Sequence, residues 1–158
     1  GRGILSSHLH SEGKHAKELV LEGPSTQRWV PEILEKNDPE DVSYYPYMNG
    51  QFVFKHAIGR FSEAIIEGLE ANNLQKEDID MLIPHQANLR IAQFIQKKFQ
   101  LSDDKVYNNI MKYGNTTAAS VIIALTEAWE KGKIKDNDLV VLAAFGSGFT
   151  WGSVIIRW

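Results

Sequence analysis

The sequence predicts an α/β fold in which strands and helices alternate and one helix lies buried between layers. Two observations predict it. Segments with apolar residues three or four positions apart, as in a helix, alternate with apolar runs of strand length. In addition, the run AASVIIAL at residues 118–125 is apolar on almost every side, which is typical of a helix covered by two neighbouring layers.

The first predicted element is a strand at residues 3–10. It precedes a long stretch, residues 11–50, that glycine and proline interrupt repeatedly. An irregular stretch of this length is uncommon in a compact domain and is usually functional or packed on another subunit. A helix is predicted from Gln51 to about Asn72, because its apolar residues recur at helical spacing. These residues are Phe54, Ile58, Phe61, Ile65 and Leu69.

The next unit combines a short apolar strand at residues 79–83, closed by Pro84, with a helix from about Asn88 to Phe99. One face of this helix is expected to be buried and consists of Ile91, Phe94, Ile95 and Phe99. A neighbouring face carries Arg90, Gln93 and Lys97, because seven residues return almost to the same angle. That face is most simply a solvated surface, and an acidic partner is its functional interpretation.

The last elements are the buried helix at residues 116–131 and two strands at residues 139–145 and 151–158. A turn formed by Gly146-Ser147-Gly148 joins the two strands, since a tight hairpin needs glycine at positions of positive φ. The pattern is therefore that of one globular domain, with 43% hydrophobic and 23% charged residues.

Composition excludes several classes of protein. A net charge of −3 leaves no basic surface suited to nucleic acid, and no apolar stretch approaches the ~18 residues of a membrane span. Because the sequence has no cysteine, disulfides, zinc ribbons and thiol catalysis are excluded within these residues. The sequence starts without Met and enters a strand at once, so we expect it to be a piece of a longer protein.

Two polar positions lie where a strand or loop gives way to a helix. His85, in PHQAN, follows a buried strand, the usual place for ligand contacts in open α/β sheets, although a histidine there is also commonly structural. Asn115, in YGNTT, precedes the buried helix. Either Asn115 or Thr116 suits the N-cap, but Gly114 also leaves room for Asn115 to point into a cavity.

A third candidate is the turn in FGSGFTWG, residues 145–152. Its backbone N–H groups suit an anion or a developing oxyanion, as well as a simple hairpin. It is not a nucleophile elbow, because Phe145 occupies a position that requires glycine. The glycine spacing and the strand that follows also exclude a dinucleotide-binding loop.

Three histidines near the start, His8, His10 and His15, raise the question of a metal site together with Glu12. Paired histidines on a strand often occur without metal, and no supporting pattern is present. No metal is expected.

Together, and in this order, the three candidate places resemble the C-terminal half of the β-ketoacyl-acyl-carrier-protein synthase III family. The segments that carry the resemblance are PHQANLRI, GNTTAAS, AFGSGFTWG, GILSSHLHSEG and MNGQFVFKHA, which span effectively the whole chain. The resemblance implies a thiolase-like fold, as the C-terminal half of a five-layer αβαβα sandwich. Residues 1–48 would then close the N-terminal half and its connecting loops, and residues 49–158 would form the C-terminal domain.

The resemblance also implies a reaction, in which an acyl group moves from coenzyme A to a cysteine and condenses with malonyl-acyl-carrier protein. His85 and Asn115 would donate hydrogen bonds to the malonyl thioester oxygen and so stabilise the enolate left by loss of CO₂. The N–H of Ser147 would serve an oxyanion hole, and Arg90 would dock the carrier protein. The residues implied to line the substrate tunnel are Gly50, Gln51, Phe54, Ala87, Asn88 and Phe145.

Two residues depart from the family's pattern, because Ser147 stands where glycine is common and Gln51 replaces a shorter amide. The cysteine would lie in the missing half, so this chain alone is expected to be inactive. The family implies coenzyme A thioesters as substrates without a cofactor, a homodimer and a bacterial cytoplasmic location. Two alternatives are a related Cys-His-Asn synthase that makes polyketides or quinolones, and a non-catalytic subunit that docks a carrier protein.

Overall fold

The computed structural model describes residues 1–22 and 45–158, which contain one mixed sheet and a short ribbon. The strands are β1 (Gly3–Ser11), β2 (Leu19–Val20), β3 (Tyr47–Met48), β4 (Met81–Pro84), β5 (Leu139–Gly146) and β6 (Thr150–Arg157). The sheet has the order β1-β6-β5-β4, and β2 pairs with β3. Strand β6 is antiparallel to both neighbours, whereas β4 is parallel to β5. The predicted α/β class is confirmed.

The helices of the described residues are α1 (Gly50–Ala71), α2 (Leu89–Phe99), the single turn α3 (Ile110–Tyr113) and α4 (Ala119–Glu130). Short 3₁₀ helices lie at Gly13–Glu18, Lys76–Asp78 and Asp103–Lys105. Asn49 caps α1, because its side-chain oxygen accepts a hydrogen bond from the N–H of Phe52 at 3.4 Å. None of the described helices is both long enough and apolar enough to span a bilayer.

Helices α1 and α2 cover one face of the sheet. Their apolar residues, among them Phe61 and Ile65 of α1, pack on Val141 and Ile155 of the central strands. The approach of α1 to β6 is close at Gly68, where a Cβ atom would lie 2.8 Å from the side chain of Ile155. A larger residue would have to displace the buried side chain of Ile155, so this close crossing favours glycine.

Helix α4 covers the other face, through Ala124 and Ala128, which pack on Met81, Ile83 and Val140. Among the described residues nothing covers its far side, where Ile122 is 58% and Trp129 55% exposed. The prediction that the helix is covered on both sides thus holds for one side within these residues. The layers are α1 with α2, the sheet, and α4.

Two sequence predictions for β4 and α2 require correction. The helical spacing predicts a buried Phe94, but this residue is 46% exposed, whereas Ala92 is buried. At about 100° per residue, Phe94 lies on the flank of α2 away from Ala92 and Phe99. The strand predicted at residues 79–83 starts later, at Met81, and includes Pro84. The irregular stretch predicted at residues 11–50 lies in part outside the described residues.

Candidate functional site

The candidate site lies at the carboxyl ends of the parallel strands β4 and β5. His85 directly follows β4, and its backbone N–H donates to the carbonyl of Ala143 in β5 at 2.8 Å. The turn that contains Ser147 directly follows β5. Because parallel strands end at the same edge of a sheet, His85 and this turn lie at one edge, where open α/β sheets bind ligands.

The imidazole of His85 contacts the first turn of α4. Its Nδ1 atom lies 2.5 Å from the Oγ atom of Ser120, which is buried. Burial lowers the pKa of His85, so the neutral imidazole is favoured. Sequence reasoning did not single out Ser120. A signal was present, because Ser120 is the one hydroxyl residue within the apolar run AASVIIAL.

Gln86 is the second residue that sequence reasoning missed, although it adjoins His85. It is 3% exposed, and its side-chain oxygen accepts hydrogen bonds from the N–H groups of Asn109 at 3.0 Å and Ile110 at 3.1 Å. Its amide nitrogen donates to the carbonyls of Pro84 at 2.7 Å and Tyr107 at 3.4 Å. Gln86 therefore fixes the segment that leads into α3 to the end of β4.

Asn115 lies in the loop between α3 and α4 and is exposed. Its side-chain oxygen accepts from the N–H of Thr117 at 2.9 Å. The N-cap of α4 is Ala118, so the interpretation of Asn115 or Thr116 as the N-cap is wrong. Thr117 has a φ of 51°, which is not helical, so α4 begins only after this residue. Within the described residues the side-chain nitrogen of Asn115 has no hydrogen-bond acceptor and is free to donate.

A polar cluster holds the flanks of the Asn115 loop together. Glu127 of α4 accepts hydrogen bonds from Asn109 at 2.8 Å, Lys112 at 3.0 Å and Lys131 at 2.8 Å. The bonds from Lys131, Asn109 and Lys112 lower the pKa of Glu127 to about 2. Asn109 directly precedes α3 and Lys112 belongs to it, so the cluster links α3 to α4 on either side of the loop.

The turn after β5 is held from two sides. The Oγ atom of Ser147 donates to the carbonyl of Leu19 at 2.6 Å, and Phe149 exchanges two backbone hydrogen bonds with Glu12 at 2.7 and 3.0 Å. Gly148 has a φ of 135°, as a turn glycine requires. Among the described residues the backbone N–H of Ser147 has no partner, so it remains available to a ligand.

The residues predicted to line a tunnel occur at three places in the structure. Gly50, Gln51 and Phe54 lie in the first turns of α1, and Gln51 is exposed. Ala87 and Asn88 form the link from β4 to α2, and Asn88 caps α2 by accepting from the N–H of Arg90 at 2.9 Å. Phe145 is buried, with its ring centroid 4.8 Å from that of Phe149. Their tunnel role stays a prediction.

Arg90 lies in the first turn of α2 and shares an exposed face with Gln93 and Lys97. A carrier-protein role for Arg90 also stays a prediction.

The N-terminal histidines connect β1 to α1. Glu67 contacts His8 at 3.3 Å and His10 at 2.6 Å, whereas Glu12 pairs with Arg60 at 2.8 Å. Over residues 1–22 and 45–158, no group of three or more histidine and acidic side chains is arranged to hold a metal ion.

Comparison with known proteins identifies relatives of the chain. Residues 69–158 match the family model described as 3-oxoacyl-[acyl-carrier-protein] synthase III C terminal. The β-ketoacyl-[acyl-carrier-protein] synthase III of Caldanaerobacter subterraneus is 48% identical over 159 residues, which cover 100% of this chain and 46% of that protein.

Solved structures give the same result. The synthase III of Thermus thermophilus superimposes with a TM-score of 0.85 at 37% identity, covering 100% of this chain and 47% of that one. The enzyme from Aquifex aeolicus gives 0.84 at 36% identity, with 99% and 45% covered. The chain thus spans just under half the length of the relatives it matches, and the predicted thiolase-like fold is confirmed.

Proposed function

Because the chain belongs to the 3-oxoacyl-[acyl-carrier-protein] synthase III C-terminal family, we propose that it supplies the enolate-stabilising half of a condensing acyltransferase. The reaction joins an acyl group from acyl-coenzyme A, acetyl-coenzyme A in the simplest case, to malonyl-acyl-carrier protein. CO₂ is lost and 3-oxoacyl-carrier protein is formed, which starts fatty-acid synthesis.

Two observations carry the proposal: burial favours the neutral imidazole of the partly buried His85, and no described residue engages the amide nitrogen of Asn115. His85 is held by Ser120, and Asn115 lies five residues before Ser120 with its side-chain nitrogen unengaged by the described residues. When malonyl thioester loses CO₂, negative charge gathers on the thioester oxygen. Two fixed, uncharged donors stabilise that charge more than they stabilise the substrate, and no base is required.

The acyl-transfer half of the reaction needs a thiol, and the sequence contains no cysteine. We place the nucleophile outside these residues, and propose that the N–H of Ser147 is one donor to the oxyanion formed during acyl transfer. The start of α1 (Gly50, Gln51 and Phe54) would line the pantetheine path. So would the β4–α2 link (Ala87 and Asn88) and the buried Phe145.

The proposal extends to partners. Arg90, on the exposed face of α2, would dock the acidic carrier protein, and coenzyme A thioesters would deliver the starter group. We also propose that the complete protein is a homodimer in the bacterial cytoplasm. Residues 1–48 and residues 49–158 would be the two parts of this chain.

The test uses the complete protein that carries this sequence. His85→Ala and Asn115→Ala should each lower the condensation rate by ~100–1000-fold, the usual loss for one oxyanion donor. Both should still transfer the acyl group from coenzyme A to the cysteine, which trapping of radiolabelled acyl-enzyme measures. Loss of acyl-enzyme formation with malonyl decarboxylation intact would refute the assigned roles.

Arg90→Glu in the same assay tests the docking surface. It should raise the KM for malonyl-carrier protein and leave malonyl-coenzyme A turnover nearly unchanged, because complementary charge steers a protein partner and its effect weakens with salt. Lys133→Glu is the matched control, since it makes the same charge reversal on an exposed residue far along the chain from α2. Equal loss with both substrates would assign Arg90 to the fold instead.

A further inference from the structure

The contact between His85 and Ser120 involves a hydroxyl whose hydrogen must be accounted for. Ser120 is 2% exposed, so its side chain has little access to solvent water. Its Oγ atom has two polar neighbours among the described residues. These are Nδ1 of His85 at 2.5 Å and the backbone N–H of Gln86 at 3.2 Å.

The N–H of Gln86 can only donate, so it occupies an acceptor site on the Ser120 oxygen. Two arrangements remain. In one, Ser120 donates its hydrogen to Nδ1 of His85. In the other, a hydrogen on Nδ1 points at Ser120, and the hydroxyl hydrogen is left in a buried place without an acceptor. An unsatisfied buried polar group is destabilising, which favours the first arrangement.

Other buried serines of the chain show the usual alternative. The hydroxyl of Ser62 donates to the carbonyl of Ile58 at 2.8 Å, and that of Ser153 donates to the carbonyl of Ala64 at 2.6 Å. Ser120 has no such bond to a carbonyl of the described residues, although, like Ser62, it lies in a helix. Its hydroxyl is directed to the imidazole instead.

We infer that Ser120 is a positioning residue that holds His85 in the neutral tautomer with its hydrogen on Nε2. In a neutral imidazole one ring nitrogen accepts and the other donates, and the hydrogen bond made by the first decides which is which. With Nδ1 occupied as acceptor, Nε2 is the donor. The opposite tautomer would present a lone pair at Nε2 and would act as a base.

This inference rests on the proposed function for its consequence, since an Nε2–H group is what an enolate oxygen needs. It adds that the identity of His85 as donor is set by a residue 35 positions away, on a different layer of the fold. The lowered pKa of His85, caused by its burial, acts in the same direction by disfavouring the imidazolium form.

The experiment measures the tautomer directly, by ¹⁵N NMR of the complete protein that carries this chain, labelled at histidine. The signal of His85 is assigned as the one missing from His85→Gln. The unsubstituted chain should show a protonated Nε2 and an unprotonated Nδ1 at pH 8. Ser120→Ala should convert this signal to a mixture of tautomers, and Ser120→Thr, which keeps the hydroxyl, should restore it. The matched control is Ser62→Ala, which removes a buried helical hydroxyl elsewhere and should leave the His85 signal unchanged.

A protonated Nδ1 in the unsubstituted chain overturns the inference, whatever the variants do, and so does a Ser120→Ala spectrum identical to that of the unsubstituted chain. In the condensation assay, Ser120→Ala should lower kcat on the order of 10-fold, less than deletion of a donor, because part of the population keeps Nε2–H. If the tautomer is as inferred but His85→Ala condenses normally, the proposed function fails while the inference stands. If Nδ1 is protonated but His85→Ala still condenses poorly, the inference fails while the proposed function stands.

Discussion

Replacement of Gln86 by leucine should destabilise the chain by more than the loss of a single hydrogen bond would. Gln86 is almost fully buried, and its oxygen serves the N–H groups of both Asn109 and Ile110. Leucine removes that acceptor and leaves two backbone donors unpaired, each at a cost of ~1–3 kcal/mol. The added apolar contact of leucine offsets part of this, so we expect a loss of ~2–4 kcal/mol in the free energy of unfolding.

Urea unfolding followed by circular dichroism measures this loss as a lower midpoint at an unchanged m-value. Gln93→Leu is the control, because Gln93 is exposed on α2 and its replacement should stay within about 0.5 kcal/mol. Gln86→Glu sharpens the test. It keeps the acceptor but turns a carboxylate oxygen towards the carbonyls of Pro84 and Tyr107, so its folded-state pKa should be raised.

Relative to the unsubstituted chain, Gln86→Glu should therefore be most stable at acid pH, where the protonated side chain can donate to a carbonyl. This relative stability should fall as pH rises through the folded-state pKa. A Gln86→Leu variant within 1 kcal/mol of the unsubstituted chain, or a pH-independent Gln86→Glu, would refute the reasoning.

Two further predictions concern the flanks of the site. Glu127 has a folded-state pKa of about 2 against an ordinary 4.5, so its contribution to stability is complete above about pH 4.5 and is lost as pH falls towards 2. Glu127→Gln should remove this part of the pH dependence of the urea midpoint, and an unaltered acid limb would contradict it. Ser147→Ala deletes the bond to the Leu19 carbonyl and should cost about 0.5–1.5 kcal/mol, measured in the same way. No loss at all would mean that the bond contributes nothing to holding the turn.

The regular elements could be predicted where local pattern and packing agree. The apolar spacing from Phe54 to Leu69 gave α1 within a residue or two, because one face of that helix meets the sheet along its whole length. The sequence pattern predicts too early a start for α4, because Thr117 adopts a positive φ that composition does not reveal.

The candidate site was predictable only in part. His85 and Asn115 stand out because each lies near the start of a helix and belongs to a motif of residues adjacent in the sequence. Ser120 was missed because its significance depends on a partner 35 residues away. Gln86 was missed because all but one of its side-chain partners lie 21 to 24 residues downstream. Such pairings are set by the tertiary fold, which periodicity does not encode.

The inner position of β6 in the sheet affects both how the chain folds and what a truncation would remove. Strand β1 pairs in the sheet with β6, from Gly3 opposite Arg157 to Ser11 opposite Thr150. During synthesis β1 therefore emerges long before its partner, and closing a loop this long is slow. A truncation that removes β6 takes the middle of the sheet rather than its edge. It would leave β1 and β5 about 10 Å apart, two strand spacings, with a row of unpaired backbone groups on each side.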